Sequence, residues 1–281
     1  MGAMDEAMDD GVAPRFLVIS QNKTGTTTLG QVLPTTLPPG AYIAKFHDHR
    51  LRPVDPATMT PKKYAFRQHD LGVLDGIRAL DARTGRLVVV TATRDPVARI
   101  YSHFFEKRVY PSSTLRGTVE ADWTADGFLA AFRPLFHETL PALLRGELSF
   151  LQEVLNDGLA QEFPNLGFRG LAENLTRSGS YARYHSGAVI GLVLPSEDLL
   201  PALRAALADL GIAAVAVPDV MANAAKDRGF SRLYRAFMDG VPFPDRLLDL
   251  AYRSPLPRVL RSPAEIDALR EGWIARWQTS A

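Results

Sequence analysis

The chain has 281 residues, 46% of them hydrophobic, and a net charge of +1. A sizeable core is within reach. The charge balance argues against a protein that coats nucleic acid, so an anion site has to be a local cluster. There is no cysteine, which excludes disulfide scaffolds, thiolate metal sites and cysteine nucleophiles.

The opening Met1-Gly2-Ala3-Met4 reads as a vector remnant with a second start methionine. Residues 1–13 are expected to be a disordered leader, and 14–281 a single domain. No signal-peptide pattern precedes it. The longest apolar runs, such as Phe16–Ile19 and Leu87–Val90, are too short for a membrane span. A cytoplasmic location is the expectation.

The first element is Arg15-Phe16-Leu17-Val18-Ile19-Ser20, a short apolar, β-branched run of the kind that forms a buried strand. A polar turn follows at Gln21 to Thr26. From Thr27 to Leu33 the apolar residues Leu29, Val32 and Leu33 share one helical face, and Pro34 is expected to end that helix. A second strand is predicted over Ala41 to Phe46. A basic, proline-punctuated stretch then runs to about Gln68, and a short helix is predicted over Leu71 to Ala82.

Arg86 to Ala92 is the strongest strand signal. It breaks at Thr93-Arg94-Asp95-Pro96, with Asp95 placed to cap a helix and Pro96 to begin it. Val97, Tyr101, Phe104 and Phe105 fall on one face of that helix. Residues from Thr118 to Leu175 read as mostly helical, so about 110–180 are taken as a helical insertion. Ala188 to Leu194 reads as a buried strand, Glu197 to Leu210 as a helix, and Ile212 to Val217 as a final strand. The tail is helical and opens on a capping box, Ser262-Pro263-Ala264-Glu265. Its buried face is Ile266, Leu269 and Trp273.

Apolar strands alternating with helices predict an α/β fold, a three-layer α/β/α arrangement with a central, mainly parallel sheet. In such sheets ligands bind beyond the carboxyl ends of the strands. Lys23-Thr24-Gly25-Thr26-Thr27-Thr28 sits where a strand gives way to a helix. Free backbone N–H groups and the helix dipole favour an anion there. Gly25 permits close approach, the threonines add donors, and Lys23 adds charge. Taken alone, the segment also fits a threonine-rich helix cap with a solvated lysine. It is not the G-x-x-x-x-G-K-[ST] loop of ATP-binding enzymes, because Lys23 precedes Gly25 and no glycine lies upstream at the required spacing. Arg94 ends the strongest strand and Ser102 lies eight residues on. A guanidinium beside a hydroxyl suits a phosphate.

Taken together, the K-T-G-T-T-T loop after one strand and R-D-P-x5-S after a later one resemble the two donor-binding motifs of sulfotransferases that use 3′-phosphoadenosine 5′-phosphosulfate (PAPS). That resemblance implies a P-loop-like sulfotransferase fold. It further implies that Lys23, Thr24, Gly25, Thr26, Thr27 and Thr28 hold the 5′-phosphosulfate, and that Arg94 and Ser102 hold the 3′-phosphate. Within the family, Lys226 to Tyr234, Leu247 to Tyr252 and Ser262 to Ile266 are similar to the C-terminal pattern of a bacterial capsular polysaccharide synthesis group. Polysaccharide O-sulfotransferases resemble the chain more distantly. The middle, about 110–215, departs from that pattern. The acceptor is therefore open between a glycan and a small natural product.

Sulfuryl transfer needs a base for the acceptor hydroxyl and positive charge at the leaving phosphate. Three of the six histidines, His47, His49 and His69, lie between Tyr42 and Asp70, among six Lys and Arg and two acids. By resemblance to the H-x-H of polysaccharide O-sulfotransferases, His49 is the base, His47 its neighbour, and Lys23 the group that neutralises the leaving phosphate. His69 matches a catalytic segment of small-molecule sulfotransferases instead, and a carboxylate such as Glu106 is a third choice. Arg228 is a further candidate for the 3′-phosphate. No third metal ligand has suitable spacing to His47 and His49, so no metal is expected. A nucleotide kinase relative and a non-catalytic nucleotide-binding module are the competing readings.

Overall fold

A computed structural model describes residues 14–19, 25–46, 57, 60–78, 86–150, 174–186, 189–212, 230–253 and 255–279. It is an α/β protein. One six-stranded sheet, mostly parallel, has the order β2-β1-β3-β6-β5-β4. The chain groups into two compact units, Met1–Ala92 with Leu151–Val220 and Thr93–Phe150 with Met221–Ala281.

The first unit opens with β1 (Arg15–Ile19), α1 (Thr26–Thr36), β2 (Tyr42–Phe46), α2 (Pro61–Arg78) and β3 (Leu87–Thr93). β1 pairs in parallel with β2 and with β3, with Val18 opposite Lys45 and Val90. All three strands thus deliver their carboxyl ends to one edge. The residues of β1 from Phe16 onward and the whole of β3 are buried. This is why they read as continuous apolar runs rather than as alternating ones.

β4 (Thr176–Ser178), β5 (Tyr181–Ser186) and β6 (Val189–Pro195) add two antiparallel pairings. β6 matches the strand expected at Ala188 to Leu194. β4 and β5 were not anticipated. α5 (Leu199–Asp209) follows and packs Leu199, Leu203 and Leu207 into a core with Phe16, Val18, Leu29, Leu33, Val88 and Val90. The strand expected over Ile212 to Val217 lies outside the described residues, apart from Ile212.

Two helices differ from expectation. α1 continues past Pro34 to Thr36. The Thr35 and Thr36 hydroxyls donate to the Val32 carbonyl at 2.8 and 2.9 Å, which satisfies backbone near the helix end. α2 begins at Pro61, ten residues before the expected start at Leu71. Proline is well suited to a first helical position because its missing N–H would be unpaired there.

The second unit is helical: α3 (Pro96–Phe104), a π-helical turn (Phe105–Val109), α4 (Ala125–Phe150), α6 (Ser231–Gly240), α7 (Asp245–Ala251), α8 (Pro255–Leu260) and α9 (Pro263–Gln278). Val97, Tyr101, Phe104 and Phe105 are buried, as their spacing predicts. They pack with Phe128, Phe136, Phe237 and Trp273 in an aromatic core. Tyr101 stacks on Phe136 with centroids 5.1 Å apart and donates its hydroxyl to the Val241 carbonyl. The capping box of α9 forms as expected, with Ser262 N–H on Glu265 at 2.5 Å and Glu265 N–H on Ser262 at 3.3 Å. Among the described residues no helix is long and apolar enough to cross a membrane.

Candidate functional site

In the first unit the structure describes the loop from Gly25 onward. Lys23, Thr24, His47 and His49 lie outside the described residues. Gly25 is the N-cap of α1 and has φ 77°. A residue with a side chain would be strained in this left-handed conformation. Gly25 itself has no side chain to cap the helix, and the first turn of α1 holds no acid to counter the positive end of the dipole. Thr26 and Thr28 are buried, and Thr27 is exposed.

Lys45, on β2, donates from Nζ to Thr27 Oγ1 at 3.2 Å. Sequence reasoning counted Lys45 only among the basic residues of its stretch. The strand pairing puts it opposite Val18, and its stem crosses α1 at Gly30. A Cβ on Gly30 would come within 3.1 Å of the Lys45 side chain, so the glycine leaves room for the lysine. Half-burial lowers the pKa of the ammonium, and an anion at the helix start would reverse that penalty.

This gives a first prediction. Lys45→Met should weaken binding of a 5′-phosphorylated ligand about tenfold, the worth of one charge-assisted contact at ~1.5 kcal/mol, measured by calorimetry. Its effect on stability has a definite sign. The folded-state pKa lies below the unfolded one, so Lys45 opposes folding at low and neutral pH, and this opposition fades as pH rises towards 10.5. In Lys45→Met that rise of stability with alkaline pH should be smaller, as read from denaturation at several pH values.

His69 is on α2 and exposed. It therefore stands within α2, which begins ahead of it at Pro61 rather than after it at Leu71.

In the second unit, Arg94 follows β3 directly and is half-buried, as is Ser102 on α3. Both act on Tyr234 of α6. Burial pushes the Tyr234 phenol up, while the Arg94 charge and the Ser102 hydroxyl pull it down. The Tyr234 hydroxyl is buried and finds no hydrogen bond of ordinary geometry among the described residues. The Thr93 hydroxyl, at the end of β3, is buried and without such a partner too. Buried polar atoms of this kind are uncommon and call for an explanation. Arg99, also on α3, is 6% exposed, and burial lowers its guanidinium to about 9.

Asp95 has a different task. It caps α3 by accepting from Ala98 N–H at 2.8 Å, and it also accepts from Tyr252 Oη at 2.5 Å and Trp273 Nε1 at 3.2 Å. The R-D-P segment thus joins a half-buried guanidinium to a buried anchor. Glu106 sits half-buried in the π-helical turn that extends α3, a distortion of a type frequent at functional sites.

Sequence reasoning singled out Arg94 and Ser102 as candidates, and did not single out Tyr234, Thr93 or Lys45. Tyr234 closes the C-terminal segment Lys226 to Tyr234, and this was the one available signal for it. Among the described residues no group of three or more His, Asp or Glu side chains gathers as a metal site. No protein-family model, curated protein sequence or solved structure matches the chain.

Proposed function

We propose that this chain is a sulfotransferase that takes PAPS as donor and passes its sulfuryl group to a hydroxyl of a glycan or a small natural product. The observation that carries the reading is the convergence of Arg94 and Ser102 on the buried Tyr234 hydroxyl. A tyrosine behind a serine can donate to the serine oxygen, which turns the serine O–H outward to an anion. The adjacent guanidinium supplies fixed charge for the same anion. These residues fit a 3′-phosphate. The acid-free start of α1, with Gly25 left-handed and Lys45 held on Thr27, fits a 5′-phosphosulfate.

In this reaction the S–O bond to the 5′-phosphate breaks as a new S–O bond forms to the acceptor oxygen. The acceptor proton passes to a base, and negative charge stays on the departing phosphate. Lys23 and Lys45 neutralise that charge, and His49 takes the proton with His47 beside it. The product left on the protein is adenosine 3′,5′-bisphosphate. The reading assigns no metal to the step.

Thermal shift separates this function from a kinase. Adenosine 3′,5′-bisphosphate should raise the Tm, and ATP with Mg²⁺ should not; the opposite pattern rejects the proposal. The base is tested by transfer of labelled sulfate to an acceptor panel. His49→Ala should lower turnover ~10²–10⁴-fold while leaving bisphosphate affinity unchanged, and His69→Ala should leave both unchanged. A large loss confined to His69→Ala would move the base to α2. A chain that binds the bisphosphate but transfers to no acceptor would be the non-catalytic relative.

A further inference from the structure

A second cluster of charge lies in the helical unit, on residues that the donor reading does not use. Asp249, Tyr252, Arg253, Arg258, Arg261, Pro263, Ile266, Asp267 and Arg270 line a cavity of about 450 Å³. That size suits a small ligand or one or two sugar rings. Four arginines face two aspartates there, and Arg270 engages both acids. It contacts Asp249 closely and reaches Asp267 at 3.8 Å.

Arg253 and Arg258 are exposed, and their side chains have no acid partner among the described residues. The Arg261 charge is felt by the Tyr252 hydroxyl, so a third guanidinium is directed to the same wall. Every basic group in the lining is arginine and none is lysine. The planar fork of arginine matches carboxylate, sulfate and phosphate oxygens in pairs. Pro263 and Ile266 add apolar surface on which a ring can lie, and the nearly buried Tyr252 forms the floor.

We propose that this cavity is a binding site for an oxyanion-bearing ligand, such as an anionic sugar, held by Arg253, Arg258 and Arg261 beside Pro263 and Ile266. The ligand chemistry is an oxyanion, presented either on a free small molecule or along a sulfated glycan. Its arginines belong to α7–α9 and the loops joining them, and Tyr252 connects the cavity to the R-D-P segment through its hydrogen bond to Asp95. It does not depend on the sulfotransferase reading.

The test is calorimetric titration of the full chain at low salt with three probes: a sulfated oligosaccharide, inorganic pyrophosphate, and a neutral glucan of the same length as the first. The sulfated oligosaccharide or the pyrophosphate should bind, and the neutral glucan should not. Which anion binds identifies the source. Arg253→Ala with Arg258→Ala should weaken that binding roughly tenfold or more, the loss of one to two charge-assisted contacts. Arg253→Gln with Arg258→Gln, which keeps more of the side-chain bulk, should do the same. Arg94→Ala should leave it intact, and saturating adenosine 3′,5′-bisphosphate should not displace it. Binding that survives both double variants, or is displaced by the bisphosphate, overturns the proposal. Failure of both anions to bind overturns it as well. None of these outcomes alters the thermal-shift test of the donor site.

Discussion

Replacing Arg94 by alanine is expected to weaken binding of adenosine 3′,5′-bisphosphate about 10²-fold and to change the Tm of the free chain little. The guanidinium is half-buried and follows the last residue of β3. A phosphate held there gains two parallel charge-assisted hydrogen bonds. Contacts to charged groups are worth ~1.5–3 kcal/mol each, and their joint loss of ~3 kcal/mol is about a hundredfold in affinity. Arg94→Lys restores the charge but not the fork, so it should recover only part of the loss. Ser102→Ala removes one neutral donor and should cost about fivefold, near 1 kcal/mol. Tyr234→Phe separates positioning from contact. It removes the buried hydroxyl behind Ser102, so it should weaken the bisphosphate by less than Arg94→Ala does while the free chain holds or gains stability. Calorimetry on the four variants reads all of this. Equal affinity in Arg94→Ala and the parent chain would remove Arg94 from the site and, with it, the observation on which the function rests.

The elements that decided the fold were legible where one physical signal dominated. β1 and β3 are apolar runs between polar breaks. The cap at Asp95 and the box at Ser262 and Glu265 are local hydrogen-bond devices readable over four residues. α2 was placed late because its buried stripe is thin. Val73 and Ile77 are buried, whereas Tyr64 is exposed, so the basic first half of the helix shows no period. β4 and β5 were lost among the polar residues of Thr176 to Ser186. Their hairpin turns at Gly179, with φ 59°, and Ser180, between paired Ser178 and Tyr181. A two-residue Gly-Ser loop is itself a hairpin signal, and it outweighs the lack of clean alternation there. The site followed the same rule. Arg94 and Ser102 are close in sequence and could be read as a motif. Tyr234 meets them from a distant helix, and Lys45 reaches Thr27 across a strand pairing. Long-range contacts of that kind leave no spacing to detect.

Asp95→Ala is the substitution expected to damage the fold most, lowering stability by ~3–5 kcal/mol. Asp95 is buried, and its carboxylate receives the Ala98 amide, the Tyr252 hydroxyl and the Trp273 indole N–H. Loss of the helix cap alone costs ~1 kcal/mol. The Tyr252 and Trp273 donors would be stranded without their acceptor, at ~1–3 kcal/mol each. In a chain of this size each kcal/mol moves the Tm by ~2–4 °C, so a drop of about 10 °C is the expected reading in a thermal melt. Asp95→Asn keeps an acceptor oxygen for the cap but loses the charge that the Tyr252 bond relies on, and should fall between the two. A small shift in Asp95→Ala, under about 2 °C, would mean that the three donors find other acceptors and that the anchor is not one. The comparison with Arg94 then becomes decisive for the segment as a whole. If the pair divides labour as the geometry indicates, Arg94→Ala loses ligand and keeps its stability, while Asp95→Ala loses stability, and ligand binding falls only because the turn that presents Arg94 has lost its support.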